Sequence, residues 1–160
     1  MSVDTKRASG RRKIRYNSLD DFLADAERVA AGPTKTVGNW SVGQILKHLG
    51  DTSNFAIDPA PFKPPWLVRI ILRTFLKRQF LEKPMPAGFN LPKRVEAELV
   101  AAPTVTTEEG IESVRRVVAR LKSTSQRVPH SIFGHLSNEE WEQFLLRHAE
   151  LHMSFAVPEK

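Results

Sequence analysis

Three times the chain sets a hydroxyl residue three positions ahead of Glu or Gln at the head of an apolar run: Ser41–Gln44, Thr106–Glu109 and Ser137–Glu140. In that spacing the hydroxyl accepts a backbone N–H of the first helical turn, and the longer side chain returns to the capping residue's own N–H. Each run is thereby committed to a helix. The apolar residues that follow recur at helical spacing: Val42, Ile45, Leu46 and Leu49; Ile111, Val114, Val117, Val118 and Leu121; Trp141, Phe144, Leu145 and Leu151. A fourth helix opens at Ser18, carries Asp20 and Asp21 in its first turn, and repeats Leu19, Phe22, Leu23, Ala26 and Val29 until Gly32-Pro33 stops it. The last helix is expected to reach about Phe155, ahead of Pro158. No segment alternates as a half-buried strand does. The expected fold class is all-α, an antiparallel four-helix bundle.

The second and third bundle helices are joined by a long crossover, Pro59 to Pro103, which holds eight of the 11 prolines. A connection of this length is structured or functional. It is expected to carry an extra helix from Trp66 to about Leu81, started by Pro64-Pro65, and a shorter one over Lys93–Val100. Phe62, Trp66, Met85 and Phe89 are apolar groups among the prolines, candidates to wall a ligand pocket or to cover the outside of the bundle. In the helix 66–81, Arg69, Arg73 and Lys77 form one basic stripe on an otherwise apolar surface. Such a helix lies on a membrane surface, or packs on the bundle or at a homodimer interface with only its stripe in water. The second arrangement is the one expected.

Residues 1–15 lack apolar periodicity and read as a flexible basic tail ahead of a single domain over 16–160. Residues 1–16 hold six basic side chains and one acid, most of the net charge of +6, so the remainder is close to neutral. No nucleic-acid motif accompanies the tail, which argues against a nucleic-acid partner. No apolar stretch follows it, and no run of about 18 apolar residues occurs, so neither a secretory signal nor a spanning helix is expected and the location expected is cytoplasmic. There is no cysteine, which excludes disulfides, thiolate ligands and cysteine nucleophiles.

A transition metal would therefore have to be held by histidines and carboxylates. His148 and His152, in H-A-E-L-H, stand on the apolar face of the last helix. At i, i+4 they lie one turn apart, where two imidazoles can share one cation. His48 lies among the apolar residues of the second helix and can face the pair. Three histidines with a fourth position open describe a catalytic rather than a structural site. Asp51, three residues on, is a candidate to orient His48 from behind, or is a solvated surface carboxylate. Glu150 falls on the far side of its helix from the pair, and His130 and His135 read as exposed loop groups.

N-W-S-V-G-Q-I-L-K-H-L, then F-G-H-L-S-N-E-E-W, then R-H-A-E-L-H resemble the DinB/YfiT-like superfamily from Tyr16 onward. The resemblance implies a small four-helix bundle in which His48, His148 and His152 bind a divalent metal, zinc or nickel foremost. Members include thiol-dependent S-transferases and a maleylpyruvate isomerase. A metal-dependent enzyme acting on a small molecule is thus implied, of hydrolase type or using a low-molecular-weight thiol. The alternative is a non-catalytic bundle that meets a membrane or protein partner through the helix 66–81.

Overall fold

The computed structural model describes residues 4–88 and 99–159. Phe89, and most of the short helix expected over 93–100, lie outside them. The fold is mainly α-helical. Helix α1 spans Leu19–Ala31, α2 Val42–Ser53, α3 Trp66–Phe75, α4 Lys77–Glu82, α5 Thr107–Ser123 and α6 Asn138–Met153, with a 3-10 turn at Asn54–Ala56 after α2. Ser18 caps α1 by accepting the Asp21 N–H, and all three capping boxes form with both of their hydrogen bonds.

Helices α1 and α2 each pack against both α5 and α6 around a common core of Phe22, Ala26, Val29, Leu46, Leu49, Val114, Val117, Trp141 and Met153, among others. The α2–α5 contact is the tightest, and glycine makes it so. A Cβ on Gly43 would stand 2.4 Å from the Val105 carbonyl oxygen, and one on Gly50 would stand 2.3 Å from the Ser113 Oγ. The backbones can approach this closely only where no side chain intervenes. His48 lies between these two glycines, so the seam that fixes α2 also fixes its imidazole.

Three features depart from the expectations. The helix expected over 66–81 breaks at Leu76, whose N–H still bonds the Leu72 carbonyl before α4 begins. Helix α6 ends at Met153 rather than about Phe155. The chain then turns into a three-residue strand, β2 (Ala156–Pro158), antiparallel to β1 (Thr34–Thr36). Strands this short carry too few residues to show an alternation.

The third departure concerns the basic N-terminal segment. Arg11, Arg12 and Arg15, read above as part of a flexible tail, are engaged with the body of the fold. Arg12 grips both Asp25 oxygens, at 3.0 and 2.8 Å, and donates to the Met153 carbonyl. Arg11 donates to Ser154 Oγ and lies over the Phe155 ring, 4.3 Å from its centre. Arg15 stands 3.7 Å from Glu150. The segment covers the side of α6 opposite its apolar stripe, and Arg147 and Glu150 are consequently buried. Arg147 Nη2 donates to Glu150 Oε1 at 2.6 Å and to the Tyr16 carbonyl at 2.8 Å, while the Tyr16 N–H donates to the same carboxylate at 2.7 Å. Glu150 is thus committed to a buried ion pair behind its helix.

Candidate metal centre

His48, on α2, is buried, while His148 and His152, on α6, keep part of their surface in contact with solvent. The three rings converge, with centroids 5.1 Å apart for His48–His148, 4.5 Å for His48–His152 and 4.6 Å for His148–His152. Each offers one nitrogen, and the three nitrogens lie within 4.8 Å of one another. The sharpest distance is between the Nε2 atoms of His48 and His148, 3.3 Å. Two nitrogens bound at ~2.05 Å on a tetrahedral zinc are about 3.3 Å apart. The donor set therefore fits a tetrahedral metal at this edge.

A hydrogen bond sets the chemistry of His48. Its Nδ1 lies 2.8 Å from the Leu99 carbonyl oxygen, which can only accept. The proton of the neutral ring must therefore sit on Nδ1, leaving the Nε2 lone pair aimed at the other histidines. Orientation of this kind is the usual support behind a ligating histidine. The carbonyl comes from the returning end of the crossover, which is also held by Gln44 Nε2 donating to the Ala101 carbonyl at 2.9 Å. Asp51 does not take this place. Its carboxylate pairs with Lys47 and accepts from Ser113 Oγ, about half-exposed on the surface of α2.

Aromatic rings enclose the triad. Trp40 stacks on His152 at 5.2 Å with the planes 3° apart and lies 4.9 Å from His48. Phe144 lies over His148 at 6.2 Å. This burial disfavours the charged imidazolium. It lowers the His48 pKa despite the opposing Leu99 hydrogen bond, lowers His148 to about 3 with help from the neighbouring His48 and His130, and holds His152 well below its ordinary value. All three are neutral at pH 7, so a metal displaces no proton from them. The pair also occupies the final turns of α6, where the negative end of the helix dipole favours a cation. Among the described residues, no carboxylate joins the three histidines as a further ligand.

The family described as "Protein of unknown function (DUF1569)" matches residues 8–159. The chain belongs to this family. No curated protein and no solved structure matches it. Within this DUF1569 chain the remaining candidates lie apart from one another. Met85 is buried, Phe62 is half-buried and Trp66 is 69% exposed on the outer surface, so they do not form one enclosed wall. Trp40 and the Leu99 carbonyl were the contributors not singled out in the sequence. Trp40 had a signal, its place in N-W-S at the α2 start, whereas a backbone carbonyl from a distant loop has none.

His135 is exposed, but His130 is not the loop group expected. It is 8% exposed, packed against Phe133, Trp141 and Phe144, and its Nδ1 accepts the N–H groups of Ile132 and Phe133. Burial lowers its pKa to about 4. Between the unfolded value of about 6.5 and this one, the unfolded chain binds a proton that the folded chain refuses. Stability therefore falls as pH drops through that window, by up to roughly 3 kcal/mol from this one group. His130→Asn keeps an acceptor for both N–H groups and removes the titration. Urea unfolding at pH 7 and pH 4.5 should show a smaller loss for the variant than for the parent chain.

Proposed function

We propose that this chain is a DinB-like four-helix bundle whose His48, His148 and His152 hold one divalent metal ion, zinc or nickel, as the centre of a small-molecule enzyme. The observation that carries the reading is the convergence of three neutral imidazoles with the 3.3 Å nitrogen edge. Its support from the fold is the packing of α1 and α2 against both α5 and α6, with the ligands on α2 and α6 and the crossover between α2 and α5.

A metal held by three neutral ligands with a position left open supplies Lewis acidity and favours the anionic form of water or of a thiol. The chain's own groups do the remainder. The Leu99 carbonyl holds the proton on His48 Nδ1. Trp40 and Phe144 fix the rings and exclude water from their faces. With no cysteine in the chain, a thiol route requires an external low-molecular-weight thiol, and a hydrolytic route requires none.

The test is metal analysis of protein made without a histidine tag, loaded with zinc or nickel and desalted. One equivalent per chain is expected, with loss of retention in His148→Ala. A parent chain that retains no metal overturns the reading.

A further inference from the structure

Helix α3 is turned the opposite way from the arrangement its sequence suggested. Its basic stripe turns toward the protein at Arg69 and Lys77, while Arg73 stays exposed at the edge of the helix. Lys77, just beyond its end, pairs with Glu140 of α6 at 2.7 Å. The Arg69 Nε is buried, and Arg73 Nη1 lies 3.6 Å from where a Cβ on Gly134 would stand. No residue of α3 is buried, and its apolar side chains point outward: Trp66 is 69% exposed, Leu67 56%, Ile70 52%, Ile71 50% and Phe75 74%. An apolar face of this kind, with an aromatic residue at each end, marks an interaction site.

We propose that the outer face of α3 docks onto an anionic lipid surface, lying in the interface plane with Trp66, Ile70, Ile71 and Phe75 entering the acyl boundary. Two observations select lipid over a second copy of the chain. The first is charge. Residues 59–81 contain five basic side chains and no acid; Lys77 and Arg78 pair with Glu140 and Glu82, and Lys63, Arg73 and Lys83 are exposed. Two such faces brought together would repel, whereas anionic headgroups would complement them. The second is size. A helix of 10 residues is about 15 Å long and about 10–12 Å across. That footprint is far below the roughly 800 Å² per partner of a stable protein interface. Nor does the helix span the bilayer: no helix among the described residues is long and apolar enough to do so. The surface is independent of the histidine site.

The experiment is flotation of the full chain with vesicles of phosphatidylcholine alone or mixed with phosphatidylglycerol. The parent chain should float with the mixed vesicles, with a blue shift of tryptophan emission from Trp66. Binding should be at least tenfold weaker to phosphatidylcholine alone and at least tenfold weaker for Ile70→Asp/Ile71→Asp. Both positions are exposed, so the double variant should keep the parent's circular dichroism and melting temperature. Should it not fold, Phe75→Ser gives the same reading. Absence of flotation, equal binding by the variants, or equal binding to both vesicle types overturns the proposal. So does a concentration-dependent dimer abolished by the same substitutions, which would make the face an interface between copies.

Discussion

Zinc or nickel at a thousandfold excess over its Kd should raise the melting temperature of the metal-free chain by about 8–16 °C. A ligand bound only by the folded state contributes about 4 kcal/mol at that concentration. For a chain of this size each kcal/mol moves the midpoint by about 2–4 °C. The shift should disappear in His148→Ala and in His152→Ala, because each leaves two nitrogens where three now lie within 4.8 Å of one another. Asp51→Asn should leave it intact, since Asp51 is engaged by Lys47 and Ser113 on the surface of α2. Differential scanning fluorimetry with and without a chelator reads all four proteins. A shift that survives His148→Ala would place the metal elsewhere.

Glu150→Ala should cost about 3–5 kcal/mol, the usual penalty for removing one partner of a buried ion pair. Arg147 would keep its charge in the interior with the Tyr16 carbonyl as its remaining partner, and the Tyr16 N–H would lose its acceptor. Glu150→Gln keeps an acceptor oxygen for both donors and should cost less. Urea midpoints measured at pH 7 give the comparison. Equal costs for the two substitutions would show that the hydrogen bonds contribute nothing once the charge is gone, and a Glu150→Gln cost near zero would show that the charge contributes nothing beyond them. Metal retention is the useful control. Glu150 lies on the far side of α6 from His148 and His152, so a variant that still folds should still bind.

These two outcomes also mark where the sequence was legible. The helix starts were, because Ser41, Thr106 and Ser137 act within four residues of themselves. The histidine set was legible for a related reason: the i, i+4 spacing of His148 and His152 and the apolar neighbours of His48 place all three toward one core. The partners of those groups were not. Leu99 reaches His48 across 51 positions and Tyr16 reaches Glu150 across 134, and no local pattern encodes either contact. Helix α3 misled because amphipathicity shows that two faces differ, not which one meets the protein. Lys77 and Glu140 decide that, and their pairing belongs to tertiary structure.

The N-terminal segment over α6 has a consequence for how the chain reaches its native state. Arg11 meets Ser154 across 143 positions, Arg12 meets Met153 across 141, and β1, which follows α1, pairs with β2, which follows α6. Closing loops of this length forfeits chain entropy well before any contact compensates for it. The helices can form early from their own caps, but the polar closure behind α6 is a late, high-contact-order event that slows folding relative to a bundle with neighbouring contacts only. Until that closure forms, Arg147 and Glu150 still face water. The long sequence separation of these contacts makes the charged side of α6 the surface expected to be shut away last.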